Sequence, residues 1–396
     1  MSPAPAGGGD RLARAALYTG GFLGPFGGGV LTVLIPDLRA EFDVSTAVAS
    51  AVIPAYIVPF AALQLVSGTL GERFGVARTI RLAYVAYAVV SLLAAAATGF
   101  GVLLVARALQ GAANAFTTPL LLAALAADTP VGRLGRTMGA FAAVQTAGIV
   151  SAPLVGGIAG HVDLRLAFVG PALAALVLAL VPLPVAAARE AHPEPPSLKS
   201  AVNRRVAWLA LAAFLAYLAI TGLAFLVALH AADEFRLDAT ARGFLLAGFG
   251  VAGVVAGPIA GRLVERADQG RIAVLGALAC AVTVPLLGVA GTPLVLATAW
   301  VAAGLGSALL WTGLNTLAVE AAPANRGGAV SFIGAWKFAG SAAAPAVWLP
   351  IYSIRASAAF AAAGIACVGI AAAIRRVSEP RRRGARLRSE PERIRS

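Results

Sequence analysis

The chain alternates between long apolar runs and short breaks that are rich in charged residues, glycine or proline. A helix needs about 20 consecutive apolar residues to cross the hydrocarbon core of a bilayer. Twelve runs reach about that length, so the pattern predicts twelve transmembrane helices. The predicted spans are 15–36, 47–70, 80–98, 101–126, 137–160, 165–188, 206–230, 242–263, 272–290, 293–320, 329–350 and 355–374.

The composition strengthens this interpretation. Hydrophobic residues make up 59% of the chain and charged residues 12%, against roughly 45–50% and 25% in soluble domains. A soluble fold could not bury that much apolar surface, so an all-α integral membrane protein is predicted. The net charge of +13 does not indicate nucleic-acid binding, because the cations are spread over short loops and the C-terminal tail.

The two halves of the chain carry matching sequences. The segment GTLGER at 68–73 has a near copy, GRLVER, at 261–266, which is 193 residues later. Glu41 and Pro130 have counterparts at the same offset in Glu234 and Pro323. This repetition predicts a duplication, with two pseudo-symmetric six-helix bundles.

The duplication divides the chain into four segments. Residues 1–188 and 206–374 are the two predicted bundles, and the proline-containing segment 189–205 is the predicted cytoplasmic linker. Residues 375–396 form a basic tail that we expect to be disordered. If the N-terminus is cytoplasmic, 24 Lys and Arg lie on the cytoplasmic side and 5 outside. This bias predicts that both termini are cytoplasmic, in the cell (inner) membrane.

Polar residues inside the predicted spans are the first candidates for function, because each ionisable group there costs about 2.5–3.5 kcal/mol. Arg107, Gln110 and Asn114 follow one another at helical spacing in the fourth span. They could form a hydrogen-bonded seam between helices, or they could line a cavity. The cavity is preferred, because the tenth span has a stripe at the equivalent place. That stripe consists of Trp300, Ser307, Trp311 and Asn315.

Two cations but no acid lie well inside the predicted spans. Lys337 is about nine residues into the eleventh span, beside Trp336. Asp37, at the outer end of the first span, is the deepest carboxylate. Two buried cations would make the cavity electropositive, which favours a neutral or anionic substrate unless Asp37 moves inward as the proton carrier. These polar residues form the predicted pathway for substrate and protons, which also includes Gln145 in the fifth span.

Nothing in the sequence indicates catalysis. The three histidines lie in predicted loops or at a helix end, and no zinc-protease, serine-hydrolase or phosphate-loop motif occurs. No enzyme activity, metal or cofactor is therefore predicted.

Three motifs resemble those of the major facilitator superfamily. Residues 68–78 (GTLGERFGVAR) resemble its loop signature, with Glu72 in place of the usual Asp. Residues 107–111 (RALQG) resemble the signature of its fourth helix, and residues 148–157 (GIVSAPLVGG) resemble the antiporter signature of its fifth. The branch that is most similar is the twelve-helix drug:proton antiporters and related efflux permeases.

The resemblance implies roles for several residues. In the family, the loop carboxylate, here Glu72, helps to hold the halves together on the cytoplasmic side. The helix 4 arginine, here Arg107, is associated with proton coupling. Asp128 is a plausible partner for Arg73 or Arg78, and Glu320 holds a similar place for Arg266. The gate predicted on this basis comprises Gly68, Glu72, Arg73, Gly75, Arg78, Asp128, Glu265 and Arg266. The predicted antiporter motif comprises Gly148, Pro153, Gly156 and Gly157.

The predicted function is proton-coupled export of a small organic molecule by alternating access. Uptake of a sugar or metabolite is the first alternative, and a membrane receptor without transport is a more distant one. The expected partners are the substrate, protons and membrane lipid, and the protein is expected to act as a monomer without nucleic acid.

Overall fold

A computed structural model describes residues 8–129, 134–183, 202–322 and 326–378. Every regular element in these ranges is helical. The helices of the first half are α1 (Gly8–Gly29), α2 (Ile35–Glu41), α3 (Thr46–Ser50), α4 (Val52–Phe74), α5 (Val76–Ala95), α6 (Phe100–Asn114), α7 (Thr118–Ala127), α8 (Leu134–Val162) and α9 (Leu166–Leu180). Those of the second half are α10 (Arg204–Ala219), α11 (Ala224–Phe235), α12 (Ala239–Arg266), α13 (Gln269–Leu287), α14 (Pro293–Ala321), α15 (Arg326–Ile354) and α16 (Ala356–Ser378).

These helices supply most of the predicted membrane spans. Ten helical segments of the described chain are long and apolar enough to cross a membrane. The shorter apolar helix α9 and the 29-residue α15 occupy the positions of the other two predicted spans. The all-helical, multi-span fold is therefore confirmed, and ten of the twelve predicted spans have the length and composition of a crossing helix.

Both halves begin with an interrupted span. A 3₁₀ turn at Thr32–Leu34 separates α1 from α2, and another at Thr221–Leu223 separates α10 from α11. The fourth predicted span is also broken, between α6 and α7, just before Pro119. Proline has no backbone N–H to donate to the preceding turn, which favours a break there. Hydropathy alone did not predict these interruptions, because they fall inside apolar runs.

The helices next to the predicted linker and tail extend slightly beyond the predicted boundaries. Asn203 caps α10 by accepting a hydrogen bond from the backbone N–H of Val206, so Arg204 and Arg205 belong to the helix. Helix α16 continues to Ser378. Residues 189–201 of the predicted linker and residues 379–396 of the predicted tail lie outside the described residues.

Large apolar side chains cover the surface of the helices. Leu180, Ile365 and Val255 are 76%, 73% and 64% exposed. Exposed apolar patches of this extent are unfavourable in water and favourable against lipid. The surface thus agrees with the span assignment.

The helix bundle has two distinct ends. The ion-pair end contains the connections 42–45 and 236–238, and the motif end contains Gly75 and the connection 267–268. Helix α8 of the first half packs closely against α12 of the second half, and this contact starts at the ion-pair end. A Cβ atom on Gly157 would overlap the carbonyl oxygen of Ala239, and one on Gly250 would lie 2.5 Å from Val150. Toward the motif end, Cβ atoms on Gly257 and Gly261 would meet nothing within 4 Å.

Candidate functional site

Arg107 lies on α6, deep inside the first half. Its guanidinium donates hydrogen bonds to the carbonyl oxygen of Gly27 at 3.2 Å and to Oε1 of Gln110 at 2.9 Å. A longer bond from Nε reaches the carbonyl oxygen of Val52 at 3.5 Å. The guanidinium also lies 4.3 Å from the ring centre of Tyr56, a cation–π distance. With 1% of the side chain exposed, the charge is sealed from water and solvated by carbonyls and a ring.

The rest of the α6 stripe continues this hydrogen-bond network. Nε2 of Gln110 donates to the hydroxyl of Ser91 at 2.7 Å. Nδ2 of Asn114 donates to the hydroxyl of Tyr56 at 2.8 Å. These bonds join α1, α4, α5 and α6 of a single half. In this conformation Arg107, Gln110 and Asn114 form a hydrogen-bonded seam between helices of the first half, and their lining of a cavity stays a prediction.

Lys337 has a different environment. It lies on α15, and its Nζ is 5.1 Å from the ring centre of Tyr217 and 4.9 Å from that of Phe338. The side chain is half-buried. In the described ranges it forms no hydrogen bond and no ion pair with a carboxylate. Two aromatic faces are therefore its main stabilising contacts.

Aromatic rings connect the two cations in a row that crosses from one half to the other. Tyr56 stacks near Phe60 with ring centres 6.3 Å apart, and Phe60 meets Phe338 edge-on at 5.2 Å. Tyr217 lies 6.5 Å from Phe338 and 5.1 Å from Trp311. We call Tyr56, Phe60, Phe338, Tyr217 and Trp311 the aromatic row. Since Phe60 belongs to the first half and Phe338 to the second, the row lies where the halves meet.

Most of the stripe predicted on the tenth span, which is α14, lies away from the aromatic row. Trp300 is buried against Phe249 with ring centres 4.5 Å apart, and its indole N–H donates to the carbonyl oxygen of Leu246 at 3.4 Å. Ser307 is buried and Asn315 is exposed. Trp311 is the member of the stripe that joins the aromatic row. Gln145 is half-buried on α8.

Asp37 lies at the ion-pair end rather than near the centre. Its carboxylate accepts two hydrogen bonds from Nη2 of Arg242, at 2.6 and 2.8 Å. Arg39 and Asp233 form a second, looser pair at 3.8 Å. Each pair joins the first half to the second. In this conformation Arg242 holds the carboxylate at the ion-pair end, and an inward movement of Asp37 as the proton carrier stays a prediction.

Arg242 is the first residue of the predicted span 242–263, and the helix in fact begins three residues earlier, at Ala239. Arg242 lies in the first turn of α12 and is 2% exposed. Asp238 begins the helix by accepting a hydrogen bond from the N–H of Ala241 at 2.7 Å. Reading Asp238 as an N-cap would have placed the helix start correctly. The side chains of Tyr217, Phe60 and Phe338 were missed because aromatic residues in apolar runs resemble lipid-facing ones.

A surface cavity of about 350 Å³ lies beside Asp37. Its lining is mainly polar and comes from α2, the end of α8 and the connection after it. The residues are Asp37, Glu41, Gly160, Asp163, Leu164 and Arg165. The cavity lies on the first half and does not reach the aromatic row.

The predicted gate residues lie at the motif end. Gly75 has a φ of +89° between α4 and α5, a conformation that glycine adopts without strain. Arg73 and Arg78 are exposed. Asp128 pairs at 2.9 Å with Arg14, which corrects its predicted pairing with Arg73 or Arg78. Both partners belong to the first half.

The remaining gate residues do not form the expected contacts. Glu265 and Arg266 are exposed, and Gly68 has open space around its Cα. Glu320 accepts a hydrogen bond from Gln269 at 2.9 Å instead of pairing with Arg266. The side chain of Glu72 lies outside the described residues, so its predicted role stays a prediction.

The predicted antiporter motif in α8 contacts both halves. Cβ atoms on Gly148 and Gly156 would overlap the carbonyl oxygens of Phe22 and Val30 in the first half. Gly157 faces Ala239 on α12, and the carbonyl oxygen of Pro153 would lie 2.7 Å from a Cβ on Gly243. The small residues therefore allow close backbone packing in two directions.

A family model described as Major Facilitator Superfamily matches residues 17–210 and 209–395. The MFS-type transporter EfpA of Mycobacterium tuberculosis is 35% identical over 140 residues, which are 35% of this chain and 26% of that protein. The tetracenomycin C resistance and export protein of Streptomyces glaucescens is 29% identical over 166 residues, covering 41% of this chain and 31% of the relative. These matches thus span about a third or less of each relative.

The fold is also similar to that of solved structures. The crystal structure of the nucleoside transporter NupG matches with a TM-score of 0.74 and 13% identity. The match covers 92% of this chain and 99% of the other. At this identity the likeness concerns the fold.

Proposed function

Because this chain belongs to the Major Facilitator Superfamily, we propose that it exports a small organic molecule from the cell by secondary active transport, in exchange for protons. A relative with a matching segment is named for resistance and export, which favours export over uptake. The aromatic row between the halves is the proposed substrate pathway, because in two-bundle transporters the substrate binds near the membrane centre between the repeats.

The orientation proposed is that of the positive-inside rule. The motif end then faces the cytoplasm with both termini, and the ion-pair end faces outward. Arg14, Arg73 and Arg78 lie toward the cytoplasmic face in this arrangement. We propose the cell membrane as the location.

One observation carries the mechanism: within the described ranges, both ion pairs that join the halves lie at the same end. Asp37–Arg242 and Arg39–Asp233 close the outer side, together with the packing of Gly157 against α12. Toward the motif end, α12 has open space at Gly257 and Gly261. This arrangement supports an inward-open state of an alternating-access cycle.

The cycle requires the outer pairs to open. Protonation of Asp37 would remove the charge that holds Arg242, so outside acid would favour the outward-open state. Glu72 and its neighbours are proposed to hold the motif end in that state, as the family resemblance implies. Arg107 is proposed to act in coupling indirectly, because its polar contacts link α1, α4 and α6, and movement of any one of these helices would change them.

The direct test uses the purified protein in liposomes with a panel of uncharged and charged aromatic compounds. We expect net movement of the compounds only when a proton gradient is imposed. The protons should then move in the direction opposite to the compounds. Movement of compound and proton in the same direction would instead support the uptake alternative. Compound movement that is independent of the gradient would contradict proton coupling.

A further inference from the structure

The two cations near the centre of the protein have unequal access to a ligand. Arg107 is 1% exposed and already engages three oxygen acceptors and a ring. A ligand could reach it only by displacing this network. Lys337 is half-buried, and its described contacts are with ring faces. Lys337 is therefore the cation that can receive a further partner.

Lys337 has no hydrogen-bond acceptor among the described residues. An ammonium group has three N–H donors, and ring faces attract it without accepting a conventional hydrogen bond. Within the described chain, the carboxylates that form ion pairs are Asp37, Asp128 and Asp233, and their partners are arginines. An anion bound beside Lys337 would accept hydrogen bonds from these N–H groups.

The surroundings of Lys337 are rich in aromatic rings. Tyr217 and Phe338 lie against the ammonium group, and Trp311 meets Tyr217 edge-on. Phe60 approaches Phe338 from the first half at 5.2 Å. Aromatic rings attract one another in offset or edge-on arrangements. A planar aromatic group could thus insert among these rings while its charge contacts Nζ.

We propose that Lys337 and the rings of Tyr217, Phe338 and Trp311 form a binding site for aromatic anions, with Lys337 as the anchoring charge. This proposal rests on the proposed function and names the substrate class at the same pathway. Organic cations are disfavoured, because Lys337 and Arg107 would both repel them in a region of low dielectric constant. Since Phe60 of the first half contacts Phe338 of the second, a ligand here would lie beside a contact between the halves and could bias their rearrangement.

The test compares 2-naphthoate with 2-naphthamide, which share a ring system but differ in charge. Binding to the purified protein in detergent is measured by calorimetry, and uptake into liposomes that contain the protein is measured separately. We expect the wild-type protein to bind 2-naphthoate more tightly than 2-naphthamide. Lys337→Gln should weaken 2-naphthoate binding by roughly 10-fold to 100-fold, the value of one charged hydrogen bond, and should leave 2-naphthamide binding nearly unchanged.

Two variants separate a binding role from a structural one. Lys337→Arg retains the charge and should restore 2-naphthoate binding to within about 3-fold of wild type, a difference below 1 kcal/mol. Arg355→Gln removes an exposed cation from the connection before α16 and should change neither ligand's affinity. Thermal unfolding of each variant checks that the fold is intact.

Several outcomes would overturn the aromatic-anion site. These are equal losses for both ligands in Lys337→Gln, no rescue by Lys337→Arg, no binding of 2-naphthoate to the wild type, or tighter binding of a quaternary naphthyl ammonium. The proposed export function fails separately, if no compound of any charge moves with the proton gradient. Gradient-driven movement of 2-naphthamide together with failed 2-naphthoate binding would reject the anion site and retain export.

Discussion

Asp37 is the carboxylate that holds the deeply buried Arg242, and the consequences of removing it can be estimated. The pair has two short hydrogen bonds, and the arginine is 2% exposed while the side chain of Asp37 is 30% exposed. Breaking a fully buried pair costs about 3–5 kcal/mol, because a charge is left without a partner. Water can partly reach Asp37, so the expected cost here is smaller, about 1–3 kcal/mol.

We predict that Asp37→Asn lowers the midpoint temperature of thermal unfolding in detergent, because it weakens the contact that closes the ion-pair end. Asp233→Asn is the matched control, since it removes the other carboxylate that pairs between the halves. Its pair is exposed and 3.8 Å long, so the expected cost is at most about 0.5 kcal/mol. Equal shifts for the two variants would show that Arg242 does not depend on Asp37.

The sequence was most informative about residues whose chemistry is unusual for their surroundings. Arg107 and Lys337 stood out because charges are rare inside apolar runs, and both are indeed inside the bundle. Their different roles could not be predicted. Two acceptors of Arg107 are the backbone carbonyls of Gly27 and Val52, and a hydropathy pattern describes side chains only. Asp37 and Arg242 are 205 residues apart, and a single sequence contains no signal that pairs them.

Helix α8 shows how glycines determine where the halves can meet. Gly148 packs against Phe22 of α1 and Gly156 against Val30 just after α1, while Gly157 packs against the backbone of α12 from the other half. The sequence motif predicted a small-residue helix but did not indicate which glycine faces which helix, because that depends on the rotation of α8 in the bundle. The apolar runs predicted the helices well, whereas the 3₁₀ turns after α1 and α10 depend on tertiary packing.

We predict that Gly157→Ala prevents full closure of the ion-pair end. The added methyl group would overlap the carbonyl oxygen of Ala239, and overpacking of this kind costs about 1–3 kcal/mol. Spin labels on Val162 and Ile354, which are 73% and 86% exposed near this end, should report a longer separation than in the unsubstituted labelled protein. Gly170→Ala on α9, where a Cβ meets nothing within 4 Å, should leave the separation unchanged. A normal separation in Gly157→Ala would argue against this contact as part of the closure.

The whole molecule is organised around two halves that meet through the aromatic row and at the ion-pair end. Duplication was visible in the sequence, and the interrupted first spans of both halves agree with it. Which end is closed could not be predicted, because closure depends on a few long-range contacts with small free energies. Contacts with small free energies would keep the two proposed states close in stability, which alternating access requires.

The central claim is that opening one end closes the other, and one measurement tests it most directly. Two label pairs are compared in the wild-type background and with Asp37→Asn: Val162 with Ile354 at the ion-pair end, and Phe74 with Arg266 at the motif end, all exposed positions. The account predicts that Asp37→Asn lengthens the first distance and shortens the second in the same fraction of molecules. A longer first distance with an unchanged second distance would contradict alternating access between these two halves.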